Sequence, residues 1–214
     1  MKLTVLGATG RTGREVLRQA VNAGHEVTAV VRDAARLPAD LRRRTTTVVA
    51  ELDDLQALTD SVAGRDAVIN AVGPRDLRAP TNACADSTRA AIAAVTAAGA
   101  DARIVLASNS AMHPGPGDDP MTRYFVKPVI LARALKHLNA DAAEAERLLR
   151  ASAAKWVIVR AGRLSDGPGK DRYRSAADRN VTGGFQITRA DFAKALLDAA
   201  ADPTSERRAI AVAN

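Results

Sequence analysis

The stretch Leu3–Val16, LTVLGATGRTGREV, constrains this chain more than any other. Leu3–Leu6 is a short, mostly apolar run of the kind a buried parallel strand needs. Gly7, Gly10 and Gly13 follow in the order G-x-x-G-x-x-G, and Val16, Leu17, Ala20 and Val21 then recur at helical spacing. A strand, a tight glycine turn and a helix in this order bring backbone N–H groups close to a pyrophosphate. Three glycines alone fit an ordinary strand-to-helix turn. Their place between strand and helix points to a nucleotide.

Downstream, strand and helix patterns alternate. Glu26–Val31 reads as a second strand after a helix that ends at Gly24. Arg32 and Asp33 follow at once, where dinucleotide-binding folds select their cofactor. Arg32 suits a 2′-phosphate, and Asp33 suits the cap of a short helix beginning at Ala34. This favours NADP over NAD. Arg11, inside the glycine turn, is a second phosphate candidate. Thr45–Ala50 is a third strand, and Glu51-Leu52-Asp53-Asp54 opens a helix through Val62. Glu51 is placed to accept a hydrogen bond from the adenine amino group.

Asp66–Asn70 is a fourth strand, and the small residues Ala71 and Gly73 at its end let a ribose and nicotinamide lie against the backbone. A helix runs from Pro80 to Ala98, and Arg103–Ala107 is the fifth strand. Ser108, Asn109 and Ser110 sit at its carboxyl end, the reactive end of an open α/β sheet. His113–Pro120 reads as a loop, and Pro128 as the start of a helix. Lys155–Arg160 is a sixth strand, Ala161–Asn180 a flexible substrate lid, Thr188 the start of a capped last helix, and Arg208–Val212 a final strand. The expected fold is therefore α/β: a Rossmann-like, doubly wound parallel sheet in strand order 3-2-1-4-5-6 with a seventh strand.

With 214 residues, the chain is read as a single NAD(P)-binding domain, 1–214, with a small substrate-side segment at about 161–187. No apolar run reaches membrane length, no secretory leader is visible, and the lone Cys84 forms no internal disulfide; a cytoplasmic protein without membrane contacts is expected. The net charge of +7 raises nucleic acid as a partner, but the arginines are dispersed and aromatics are 3%, so no stacking platform exists and no nucleic-acid partner is expected. No metal site is expected. The chain is read as a monomer or homodimer.

Four motifs carry a resemblance: Gly7-Ala8-Thr9-Gly10-Arg11-Thr12-Gly13, Val30-Val31-Arg32-Asp33, Val72-Gly73-Pro74-Arg75 and Ala107-Ser108-Asn109-Ser110-Ala111. With Ala145–Ser152, Trp156–Leu164 and Ile187–Asp191, they resemble the atypical short-chain dehydrogenases/reductases. Within these the chain is similar to the NAD(P)H-binding proteins grouped with flavin reductase/biliverdin-IXβ reductase and the NmrA-like regulators. The resemblance implies that Gly7, Thr9, Gly10, Arg11, Thr12 and Gly13 hold pyrophosphate and Arg32 the 2′-phosphate. It implies that Glu51 and Leu52 border adenine, and that Ala71, Gly73, Arg75 and Ser108 line the rest of the cofactor. Ser110, with Asn109, would orient the acceptor, and Arg163 would meet an anionic substrate.

The activity implied is NADPH-dependent hydride transfer to a flavin, a quinone or a similar small acceptor, with FMN as a candidate substrate. A redox sensor without turnover and an epimerase- or dehydratase-like enzyme are the alternatives. Two departures bear on this. The Tyr-x-x-x-Lys pair has no match, since Tyr124-Phe125-Val126-Lys127 is one residue short, and Tyr124 is read as packing. The histidines of biliverdin-type reductases align with Ala142 and Arg163.

Overall fold

The computed structural model describes residues 1–77 and 79–214. Its frame is an eight-stranded sheet. Strands β1 (Lys2–Leu6), β2 (Glu26–Val31), β3 (Thr46–Val49), β4 (Ala67–Asn70), β5 (Arg103–Asn109) and β6 (Trp156–Ala161) stand in the order 3-2-1-4-5-6, all parallel. Two short strands, β7 (Arg163–Ser165) and β9 (Gln186–Thr188), form a separate parallel pair. The final strand, β10 (Ala209–Ala213), joins β6 in parallel, as expected of a seventh strand. An eighth, β8 (Arg174–Ala177), adds itself antiparallel to β10. The stretch read as a flexible lid thus carries two strands. β8 has no long apolar run to announce it, because an edge strand with exposed faces needs none.

Side chains alternate across the sheet, so each strand feeds two cores. Leu3, Val5, Val105, Val157 and Val159 face one layer, with Val16 and Leu17 of helix α1 (Arg11–Asn22) and Leu196 of the last helix. Leu6, Ile104, Leu106, Trp156 and Ile158 face the other, with Leu58, Ala91 and Leu149. The helices of this second face are α3 (Leu55–Val62), α4 (Ala83–Ala97) and α6 (Lys136–Ala151), while α2 (Ala39–Arg44) and α7 (Arg189–Ala201) belong with α1.

Local chemistry sets the ends. Gly24, at φ +77°, lets the chain leave α1 with its N–H on the Val21 carbonyl. Asp33 Oδ1 accepts the Ala35 N–H at 2.9 Å, and Thr188 Oγ1 accepts the Asp191 N–H at 3.1 Å, both as expected. Helix α3 begins at Leu55 rather than Glu51, because Asp54 is its cap and accepts the Ala57 N–H. The helix read as starting at Pro80 begins at Ala83; its first N–H groups are met by Asp141 of α6, whose carboxylate accepts from Cys84 and Ala85 at 3.0 and 2.8 Å.

Pro128 opens no helix. It lies inside a wide π-helical winding, Thr122–Leu131, which passes through the one-turn α5 (Ala132–Ala134) and leads on to α6. Proline lacks an N–H and crowds the preceding turn, and a wider winding accommodates it.

Candidate functional site

In an open α/β sheet the crevice lies beyond the carboxyl ends of the strands, where the order reverses. Here that is between β1 and β4, from which the chain departs to opposite sides. The three glycines of the turn are glycine for different reasons. Gly7 has φ +75°, and a Cβ there would stand 2.8 Å from the Ala71 backbone. At Gly13 a Cβ would stand 2.2 Å from the Gly7 carbonyl oxygen, so helix and turn could not pack. Gly10 is different: a Cβ would meet only the Gly7 oxygen, at 3.2 Å. Gly73, beyond β4, has no neighbour within 4 Å of its Cβ position. Gly73 leaves open space that the protein's own packing does not claim, and Gly10 is the exposed N-cap of α1, whose N-terminus has no side-chain cap. This is a cradle that fits a pyrophosphate and the group beyond it.

The remaining cofactor candidates stand around this cradle at successive strand ends. Thr9 and Thr12 flank Gly10 and Arg11 in the turn, both half-buried. Arg32 is exposed at the end of β2 with no side-chain partner among the described residues. Glu51 is exposed just after β3, while Leu52 packs against the second core. Arg75 is exposed after β4. Ala71 donates its N–H to the Leu6 carbonyl at 3.1 Å, which seats the β4 end beside the turn. Asn70 braces the same end: its amide donates to Ser87 and Thr88 at 3.0 and 3.2 Å, and its Oδ1 accepts the Val72 N–H.

Arg11 is engaged. Its guanidinium donates to Asp166 at 2.9 Å, and Asp166 also pairs with Arg189. These residues line a cleft of about 340 Å³ with Arg14, Arg18 and Gly169. The Arg11–Asp166 pair is open to water on both sides, so parting it costs little.

The acceptor-side candidates also come together. Register puts Asn109 beside Ala161, so Ser108, Asn109 and Ser110 share one end of the sheet with the exposed Arg163. Their side chains are less available than the sequence suggested. The Ser108 hydroxyl, expected at the cofactor, donates instead to Glu146 Oε1 at 2.7 Å. The Asn109 amide donates to Asn139 of α6 at 2.8 Å. Ser110 is 8% exposed and starts a tight turn whose carbonyl accepts the His113 N–H.

Two clusters here escaped the sequence reading, because their members lie far apart in the chain. The first centres on Glu146, buried in α6. It accepts from Ser108 and from Arg160 of β6, with Arg150 and His113 Nε2 at 3.7 and 3.4 Å. Burial alone would raise its pKa, but the His113, Arg160 and Ser108 contacts outweigh that and hold the carboxyl down at about 2. The second is a buried pair, Lys127 Nζ on Asp118 at 2.8 Å, with Asn180 Nδ2 donating to the same carboxylate at 2.9 Å. Lys127 is thereby spent on structure. Tyr124 does not pack as expected: it is 70% exposed, with the Arg123 guanidinium over its ring.

The model of a family described as NAD(P)H-binding matches residues 7–203. The chain belongs to that family. The Bacillus subtilis (strain 168) protein YwnB is 36% identical over 73 residues, 34% of this chain and 32% of that protein, so the match spans about a third of the relative's length. A solved protein from Lactobacillus casei superposes with a TM-score of 0.81 at 28% identity, covering 100% of this chain and 99% of that one. A short-chain dehydrogenase/reductase from Veillonella parvula DSM 2008 in complex with NADP has a TM-score of 0.78 at 17% identity, covering 100% and 94%; that likeness is one of fold. Among the described residues no helix is long and apolar enough to cross a membrane.

Proposed function

We propose that the protein is an NADPH-dependent reductase of a small acceptor, a flavin or a quinone. The observation that carries the cofactor reading is Arg32, an exposed guanidinium without a partner among the described residues, at the strand end next to an open glycine cradle. A bidentate fork in that place suits a 2′-phosphate. The NADP-bound fold relative supports the same reading. The cofactor would supply hydride chemistry, with the protein contributing binding and orientation. Gly7, Thr9, Gly10, Thr12 and Gly13 would cradle the pyrophosphate, with Arg11 released from Asp166. Glu51 and Leu52 would border adenine, and Ala71, Gly73 and Arg75 the nicotinamide side.

With Lys127 buried on Asp118, it is not available beside Tyr124 to protonate a carbonyl. This favours acceptors that take hydride readily. Ser110, with Asn109 behind it, would orient the acceptor, and Arg163 would face any negative charge on it. The whole would act as one domain in the cytoplasm, as a monomer or homodimer.

The test is NADPH oxidation by the purified protein with FMN and with a quinone, beside NADPH and NADH binding titrations. Turnover is expected with NADPH preferred, and Ser110→Ala should lower kcat by on the order of tenfold to a hundredfold. Tight NADPH binding without turnover of either acceptor would replace the reductase by a cofactor sensor.

A further inference from the structure

Reduction of a quinone or flavin needs a proton as well as a hydride, and the residues named so far supply none. His113 stands four residues beyond the end of β5, where its neighbours fix it unusually well. Its backbone carbonyl accepts from Lys127 Nζ at 3.2 Å and from Asn180 Nδ2 at 2.7 Å, so the loop cannot swing away. Its N–H is held by the Ser110 carbonyl at 3.3 Å. Its Nε2 is buried 3.4 Å from Glu146 Oε2, in ion-pair reach but not aligned as a hydrogen bond, and it has no other partner among the described residues. Yet 35% of the side chain is exposed, and Nδ1 has no hydrogen-bond partner among the described residues.

A ring with one nitrogen set on a buried carboxylate and the other free is the arrangement of an oriented acid. The charged groups around it are Glu146 and Arg150 from α6 and Arg160 from β6, with Lys127 and Asp118 gathered at its carbonyl. Glu146 is the group within ion-pair reach of the ring, and Arg150 and Arg160 are paired with its carboxylate.

We propose that His113 is the proton donor to the acceptor, oriented through Nε2 by the Glu146 carboxylate. Glu146 is then a positioning residue, and the inference rests on the reductase reading. The acceptor gains a hydride from the bound reductant and one proton. The Nδ1–H bond breaks, an O–H or N–H bond forms on the acceptor, and neutral His113 takes a proton back from water at its exposed edge. This also gives the Ser108–Glu146 bond a purpose: it ties the end of β5, which carries Ser110, to the carboxylate that orients the acid.

Three measurements test it. NMR of the imidazole in the free protein should show a changed His113 Nε2 signal in Glu146→Gln, since the carboxylate beside that nitrogen is lost. With a quinone, kcat of the unmutated protein should fall as pH rises, because the protonated ring is the donor. His113→Gln should lose that pH dependence and on the order of 100-fold or more in kcat, with NADPH affinity unchanged. An unchanged rate and pH profile in His113→Gln overturns the inference and leaves the reductase reading standing. A His113 Nε2 signal unmoved by Glu146→Gln overturns the role of Glu146. If Glu146→Gln does not fold, the partly exposed His113 variant decides alone. An unmutated protein that turns over neither flavin nor quinone overturns both readings.

Discussion

The two sides of the crevice are built on opposite plans. On the β1–β4 side, Arg32 stands without a partner among the described residues, Gly73 faces open space, Gly10 is exposed, and the α1 N-terminus has no side-chain cap. On the β5–β6 side almost every polar group is spent internally: Ser108 and Arg160 on Glu146, Asn109 on Asn139, Lys127 and Asn180 on Asp118. Groups left spare at one end are ready for a ligand that brings its own charge and hydrogen bonds. Groups paired at the other end hold a surface in shape, and only what they leave open, such as His113, remains for chemistry.

The sharpest way to break that contrast lies in two glycines three residues apart. Gly13→Val should give no folded protein, because its side chain would enter the Gly7 carbonyl. Gly10→Val should keep its circular dichroism with at most a modest loss of melting temperature, since only the Gly7 oxygen must give way, and should lose NADPH binding. A folded Gly10→Val that binds NADPH normally would mean that the open space is not the pyrophosphate site.

On the paired side, Asp118→Ala should cost about 3–5 kcal/mol in urea denaturation, because it strands the buried Lys127 ammonium. Asp118→Leu with Lys127→Met should recover most of that loss. A single variant with no measurable cost would remove the claim that this end is braced by burial.

Acid sharpens the same point. Glu146 has a pKa depressed from 4.5 to about 2 in the folded chain. Its contribution to stability is therefore full above the unfolded value and is lost as pH falls through the window from 4.5 to about 2. The depression corresponds to about 3 kcal/mol. Denaturation midpoints measured across that window should fall more steeply for the unmutated protein than for Glu146→Gln.

Arg32→Ala should weaken NADPH binding by about 1.5–3 kcal/mol and leave NADH and melting temperature unchanged, as befits a spare side chain. Equal affinity of the unmutated protein for both cofactors would refute the 2′-phosphate role. The smallest effect is expected at Tyr124. With its ring 70% exposed, Tyr124→Phe should change stability by no more than about 0.5 kcal/mol and should leave kcat alone.

The chain's own pattern was enough for the first six strands and their order, for the glycine turn, and for the placing of Arg32 and Ser110 at strand ends. It also sufficed for the caps Asp33 and Thr188. These are local matters: a period of two or 3.6 residues, a glycine at a turn, a side chain reaching its own backbone a few residues on. Tertiary structure alone decided what required residues distant in sequence to meet. Asp141 caps α4 from α6, and β8 exists as a strand only because β10 offers it an edge. Glu146 becomes a buried anion only where Arg160 and Ser108 arrive from β6 and β5. Lys127, which the spacing already excluded from a Tyr-x-x-x-Lys pair, finds its place only where Asp118 and Asn180 close on the same spot. A buried charge is tolerable only with its partners in place, and which partners those are is settled by packing, not by spacing along the chain.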